Sequence, residues 1–133
     1  MPQQKVPAEI REFVARHLKT VEHLEVFMLL QRTASRSWSP SDIAAELRIP
    51  EDTAATVLEQ LASDNFLDIK ILNDILYRFN PATPALEAVA KRSAEFYVRA
   101  RIAMMNLVTT RGLGPIQDFA DAFRLKKKDK GDG

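Results

Sequence analysis

Apolar residues recur at helical spacing through the first quarter of the chain. From Pro7, the positions Ile10, Phe13, Val14, Leu18 and Val21 follow a three-four rhythm, and Glu9 and Glu12 lie near the positive end of the helix that rhythm predicts. Thr20 can cap a second helix, Val21 to Arg32, whose segment 26–30 is apolar on all sides and so belongs near the centre of a core. Ile10, Val14, His17, Val21, Leu24 and Met28 also keep one continuous stripe, so a break at Thr20 and a single long helix both stay open. Residues 33–38 read as a polar loop ending in the aromatic Trp38.

The next signals are local. Ser39 precedes Pro40 and has Asp42 three residues later, which places a hydroxyl cap, a helix-compatible proline and a carboxylate at one helix start. Ile43 and Leu47 face inward, the small Ala44 and Ala45 permit close approach, and Pro50 excludes the helical region for Ile49, so Arg48 and Ile49 form a turn. A second helix follows, with Ala54, Val57, Leu58 and Leu61 inside and Thr53, Thr56, Gln60 and several carboxylates outside. From Phe66 the period becomes two. Leu67, Ile69 and Ile71 alternate outward to Asn73 and Asp74, and Ile75, Tyr77 and Phe79 alternate on the return, which predicts a small β-hairpin. Its tip lacks glycine and carries Asp74 in place of a basic residue.

Thr83 and Pro84 start another helix by the same cap-and-proline logic. Leu86, Val89, Ser93, Phe96, Ala100, Ala103 and Leu107 repeat at three-four spacing, and Ala90, Tyr97, Met104 and Val108 widen the stripe. If residues 84–110 form one helix it is about 40 Å long at roughly 1.5 Å per residue, and part of it should project from so small a domain. A dimer interface built from Leu86, Val89, Phe96, Tyr97, Ala100, Ala103, Met104 and Leu107 is the expectation, with packing inside one chain as the alternative. After the breaker 112–115, Ile116, Phe119 and Phe123 lie at i, i+3 and i+7, the anchor spacing of a helix that fills a groove on a partner or folds back to cap its own core. The segments expected are therefore a polar leader 1–6, a winged-helix domain 7–80, a long helix 81–111, a short amphipathic helix 112–125 and a basic tail 126–133.

Composition narrows this picture. With 133 residues and no cysteine, the chain can bury a core without disulfides and has neither thiolate metal ligands nor a cysteine nucleophile. No apolar run reaches the roughly 18 residues that span a bilayer, and residues 1–11 are too polar for a secretory signal, so a cytoplasmic protein that does not enter a membrane is expected. The formal charge of +1 is unevenly spread. Residues 1–39 carry six basic and four acidic groups, 40–80 carry three and eight, and 81–133 carry ten and six, giving +2, −5 and +4.

The stretch WSPSDIAAELRIPEDTAATVLEQLASDNFL, followed by DIKILNDILYRF, resembles the winged helix-turn-helix of bacterial transcription regulators of the multiple-antibiotic-resistance and arsenic-repressor kind. The fold class implied is mainly α with a small β-hairpin, a winged helix-turn-helix plus a long C-terminal helix. The resemblance implies a homodimer that sets its second helix in the major groove and its wing against the backbone. Carried over by position, Thr53, Thr56 and Gln60 would face bases, with Lys70 and Arg78 of the hairpin as further DNA-binding candidates. Glu51, Asp52 and Glu59 depart from the pattern, because each carboxylate near a phosphate costs on the order of 1 kcal/mol. Lys91, Arg92, Arg99 and Arg101, or the lysines at 126, 127, 128 and 130, can supply the missing positive charge or simply keep the surface solvated. The alternative function is a protein-interaction adaptor that uses the acidic face and the Phe119/Phe123 helix without DNA.

Catalysis finds no support. His17 and His23 are not at metal-binding spacing, and the chain has no nucleophile elbow, phosphate loop or zinc-protease motif, so no enzyme and no cofactor is expected. Trp38 can stack on a base, but an apolar residue before a capped helix commonly packs as a staple.

Overall fold

The computed structural model describes residues 6–109. The elements run α1 (Ala8–His17), α2 (Val21–Arg32), β1 (Ser37–Trp38), α3 (Pro40–Leu47), α4 (Glu51–Ser63), β2 (Leu67–Ile71), β3 (Ile75–Phe79) and α5 (Pro84–Arg99). A further helical stretch, α6, occupies 101–109. The sequence-level fold class holds: helices dominate, and the sheet is small and antiparallel.

Thr20 breaks the chain. Its backbone is extended and its hydroxyl accepts a hydrogen bond from the His23 amide at 3.0 Å, so α1 and α2 are separate helices. The capping box at Ser39 and Asp42 forms as expected: the Ser39 hydroxyl accepts from the Asp42 amide at 3.1 Å, and the Asp42 carboxylate accepts from the Ser39 amide at 3.3 Å. Arg48 turns the chain in the left-handed region at φ 58°, ψ 50°, and Pro50 leads into α4.

The exit of α4 has no glycine. Asn65 takes the left-handed conformation instead, at φ 72°. The Asn65 amide then donates to the Ala62 carbonyl and the Phe66 amide to the Leu61 carbonyl, both at 3.0 Å, the paired bonds of a Schellman cap. This cap drives Phe66 into the core, where its ring meets Phe13 at 5.7 Å, Phe27 at 5.5 Å and His17 at 5.1 Å between centroids. Phe27 continues to Phe79 at 5.7 Å, so α1, α2 and β3 share one aromatic cluster. The His17 imidazole and the Asp64 carboxylate lie 2.9 Å apart, tying α1 to the same end of α4.

Two expectations change. The loop 33–38 contains a strand: Ser37 and Trp38 pair antiparallel with Arg78 and Tyr77, making a three-stranded sheet in the order β1-β3-β2 where a two-stranded hairpin was expected. Two residues are too few to show a period, so alternation could not find β1. Trp38 is buried, and its indole donates to the Thr33 hydroxyl at 3.0 Å while the Arg36 guanidinium lies 3.6 Å over its ring, so it is no free stacking platform.

The long helix is interrupted as well. α5 ends at Arg99, and Ala100 leaves the helical region at φ −138°, ψ 54°. The Ala100 amide still donates to the Phe96 carbonyl at 2.7 Å, and its own carbonyl accepts from Met104 at 3.1 Å, so α5 ends and α6 begins on the same residue. The redirected α6 sends Met104 and Val108 into the core at 0% and 2% exposure, burial that displaces the projecting rod expected from periodicity. Arg92 joins α5 to α1 by a bidentate ion pair with Glu9, with its Nε donating at 2.9 Å. Behind that pair the Ser93 hydroxyl is fully buried and has no hydrogen-bond partner among the described residues. The sequence-derived helix 112–125, with Ile116, Phe119 and Phe123, and the tail 126–133 lie outside the described residues.

Because Phe66 is fully buried and packs on both α1 and α2, Phe66→Ala should lower unfolding free energy by about 3–5 kcal/mol, whereas Ser39→Ala, which loses only a cap, should lower it by about 1 kcal/mol. Urea titration followed by circular dichroism separates the two. A pH dependence should accompany them. Burial holds the His23 pKa below its ordinary 6.5, opposed by the Gln60 side chain and the Asp64 carboxylate. The unfolded chain therefore binds the extra proton first, so this contribution to stability is complete above pH 6.5 and is lost as the pH falls through the lowered folded-state value. His23→Gln should flatten that decline, measured as the change in urea midpoint between about pH 7.5 and about pH 5.5.

Candidate nucleic-acid interface

α3 and α4 are joined by a two-residue turn at Arg48 and Ile49 before Pro50, the short connection a helix-turn-helix requires. Ala54, Val57, Leu58 and Leu61 are buried, which fixes the rotation of α4 and leaves Glu51, Asp52, Thr56, Glu59 and Gln60 exposed, with Thr53 half-buried.

The polar side chains on that helix are partly committed. The Thr56 hydroxyl donates to the Asp52 carbonyl at 3.0 Å, so its oxygen remains an acceptor. The Asp52 carboxylate accepts from the Thr53 amide at 2.9 Å. Glu51 and Asp52 occupy the first turn, where the helix dipole favours carboxylates. Thr53 and Thr56 border a shallow depression with Thr20, Glu22, His23, Asp52 and Val57, between the start of α2 and the start of α4. Glu59 faces the sheet closely enough to act on Tyr77, whose phenol is pushed up first by burial and second by that carboxylate.

The hairpin divides its residues by face. Leu67 pairs with Phe79, Ile69 with Tyr77 and Ile71 with Ile75, while Asp68 pairs with Arg78 and Lys70 with Leu76. Leu67, Tyr77 and Phe79 are buried, but the apolar row runs past the edge of the core. Ile69 is 53% exposed, Ile71 73%, Leu72 65% and Ile75 41%. On the opposite face Lys70, Arg78, Asp68, Ser37 and Leu76 border a second depression. There Arg78 donates to Asp68 at 3.0 Å and the Asn80 amide donates to the same oxygen at 2.9 Å, so these two donors hold the Asp68 carboxyl below its usual range. Lys70 is exposed and makes no ion pair among the described residues.

The five DNA-contact candidates thus fall into two groups on different surfaces, Thr53, Thr56 and Gln60 beside His23, and Lys70 and Arg78 on the outer sheet face. Of the helix basics, Arg92 is tied to Glu9, while Lys91, Arg99 and Arg101 are exposed and unpaired among the described residues. Glu87 and Lys91, and Glu95 and Arg99, stand four apart on α5 but form no ion pair among the described residues. Among the eight dimer candidates, Phe96, Ala100 and Met104 are buried in the chain's own core, whereas Leu86, Val89, Tyr97, Ala103 and Leu107 are half-buried. The large apolar side chains left in solvent on this helical segment are Val98, 82% exposed, and Ile102, 71%. Periodicity missed both because each lies off the main stripe, as well as the apolar wing tip, since alternation gives a residue's face and not its distance from the core. Among the described residues no cluster of histidine and carboxylate side chains is arranged to hold a metal, and no helix is long and apolar enough to cross a membrane.

No protein-family model and no curated protein matches the chain. Solved structures do. The reduced form of MarR from E. coli superposes with a TM-score of 0.51 at 12% identity, over 82% of this chain and 87% of that one. The heme sensor protein PefR from Streptococcus agalactiae, in complex with heme, gives 0.52 at 14% identity, over 93% and 86%. BpsR from Bordetella bronchiseptica, whose DNA binding is regulated by 6-hydroxynicotinic acid, gives 0.51 at 19%, over 94% and 85%. Identities this low speak for architecture alone, and on that ground the chain has the winged helix-turn-helix fold shared by these MarR-like structures.

Proposed function

We propose that the protein is a dimeric winged-helix transcription regulator that binds DNA, with α4 entering the major groove and Thr53, Thr56 and Gln60 nearest the bases. The observation that carries this reading is the placement of α4: behind a short turn from α3 and ahead of a β wing, with its apolar face locked inward and Thr56 and Gln60 in solvent. The BpsR likeness adds a DNA-binding protein built on the same architecture. Glu51, Asp52 and Glu59 oppose phosphate contact, so affinity depends on cations elsewhere: Lys70 and Arg78 on the wing, and Lys91, Arg99 and Arg101 on α5 and α6. No catalytic chemistry is part of the proposal.

The dimer is assigned to the C-terminal helical segment. Leu86, Val89, Tyr97, Ala103 and Leu107 are half-buried, and beside them Val98 and Ile102 leave an apolar surface that a second copy would cover. The C-terminal helix with Ile116, Phe119 and Phe123 would dock on a partner or on the dimer mate.

A second reading is favoured by the acidic surface of α4 and the apolar wing tip. In that reading the chain is an adaptor that binds another protein and not DNA. A mobility shift on genomic fragments at low salt separates the two. The DNA reading requires a shift that weakens steeply with salt, a loss of roughly 10- to 100-fold for Thr56→Ala with Gln60→Ala, and for Lys70→Ala a salt slope reduced by about one. No shift at low salt leaves the adaptor. Independently, Val98→Asp with Ile102→Asp should lower the mass measured by light scattering while the circular dichroism spectrum is retained; a mass unchanged by both substitutions places the interface elsewhere.

A further inference from the structure

β2 is an edge strand, since the sheet order β1-β3-β2 leaves one of its sides unpaired. The phase of its hydrogen bonding follows from two flanking contacts. The Asn80 amide donates to the Phe66 carbonyl at 2.8 Å, and the Leu72 amide to the Asp74 carbonyl at 2.9 Å. In an antiparallel pair, residues alternate between turning their N–H and C=O toward the neighbour and away from it. Phe66 and Leu72 bond toward β3, so Asp68 and Lys70 do too, and Leu67, Ile69 and Ile71 turn theirs to the open edge. Among the described residues no backbone group from another element meets those three.

Of the features that usually keep an edge solitary, the strand carries charges at Asp68 and Lys70 but neither a proline nor a bulge, and its register with β3 runs unbroken over all five residues. Ile69 and Ile71 stand 53% and 73% exposed on one face, and Lys70 on the other face lies opposite Leu76 with no carboxylate at ion-pair distance.

We propose that the β2 edge is a self-association surface, on which a second copy of this chain adds its own β2 antiparallel about a dyad at Ile69. The segment Asp68-Ile69-Lys70 is self-complementary about its centre. With the dyad there, Ile69 faces Ile69 of the second copy as a pair that exchanges both backbone hydrogen bonds, and Leu67 and Ile71 form two more such pairs. On the other face each Asp68 lies opposite Lys70 of the second copy, so two ion pairs form where each lysine had none. Asp68 then stands between Arg78 of its own chain and the incoming lysine. A dyad at Asp68 or at Lys70 leaves the edge groups of Leu67, Ile69 and Ile71 able to bond but sets like charges face to face. Charge order and exposed apolar area thus select the dyad at Ile69, and the hydrogen-bond phase is compatible with it. The surface is separate from the Val98 and Ile102 patch, so self-association here does not rest on the regulator reading.

The cysteine-free chain allows a clean test by single-cysteine cross-linking of the full-length protein. Hydrogen-bonded antiparallel pairs hold their Cα atoms about 5.5 Å apart, inside the range of about 4.4–6.8 Å that a disulfide spans. Ile69→Cys should give a disulfide-linked dimer under mild oxidation, and Ile71→Cys, which faces Leu67 of the second copy, should give far less. Adding Lys70→Asp to Ile69→Cys places carboxylates opposite one another and should cut the rate of linkage roughly tenfold, while Lys70→Arg should leave it unchanged. Circular dichroism verifies that each variant is folded. The proposal is overturned if Ile69→Cys stays monomeric on a non-reducing gel, if Ile71→Cys links as readily, or if Lys70→Asp and Lys70→Arg behave alike. A different protein occupying the edge would give the first of these results.

Discussion

The left-handed turn at Asn65 is the constraint on which most of the described structure depends. It closes α4 with paired hydrogen bonds, reverses the chain, and delivers Phe66 into the contact of α1, α2 and β3. The wing starts from the next residue, so the phase of its alternation is inherited from that turn. A slip of one residue would exchange Leu67 and Tyr77 for Asp68 and Arg78 on the core side. Position and rotation of α4 are thus set by its buried face and by the cap at its end, and not by anything on its exposed face. A helix held in this way can change its surface chemistry without losing the fold, and that is the state in which it is found.

Ala100 exerts a similar control over the C-terminal segment. A regular three-four stripe over residues 86–108 is compatible with a straight rod, yet the rod would carry Met104 and Val108 away from the core they enter. Leaving the helical region at one residue costs about 1 kcal/mol in conformational preference, whereas burying a methionine and a valine side chain contributes about 1.5–3 kcal/mol each. Burial outweighs that conformational penalty. The consequence for assembly is that Phe96, Ala100 and Met104 are spent on the core, and the apolar surface left for another copy shifts to Val98 and Ile102.

How much could be read in advance follows from the range of each signal. Caps and prolines act within four residues, so the starts of α3 and α5 and the break at Thr20 were within reach of local chemistry, although the last stayed open because the stripe through His17 and Val21 is continuous. The face of each helix followed from its period. What local pattern cannot carry is tertiary: the two-residue β1, the glycine-free cap at Asn65 that substitutes asparagine for the usual residue, and the kink at Ala100 all answer to partners far away in sequence. The candidate site was legible to the same degree. Thr56 and Gln60 are exposed as the period of α4 requires, but that Arg78 is held by Asp68, that Arg92 is held by Glu9, and that the wing tip rises clear of the core were not visible in any one stretch.

Charge and shape make opposite demands on the winged-helix face. The fold offers α4 at the place where a major groove would lie, and phosphate contact calls for cations there, yet the exposed carboxylates Glu51, Asp52 and Glu59 lie on that helix and Arg78 is neutralised in place by Asp68. Glu51 and Asp52 have a local reason to be acidic, because the first turn of a helix stabilises negative charge whatever the helix contacts. Glu59 has no such reason, because it sits beyond the first turn. It is therefore the residue whose charge says most about the partner, since solvation alone would be served equally well by a lysine. A groove-binding helix would be improved by that lysine and a surface for a basic protein segment would be spoiled by it, so the sign at position 59 divides the two functional readings more sharply than the fold does.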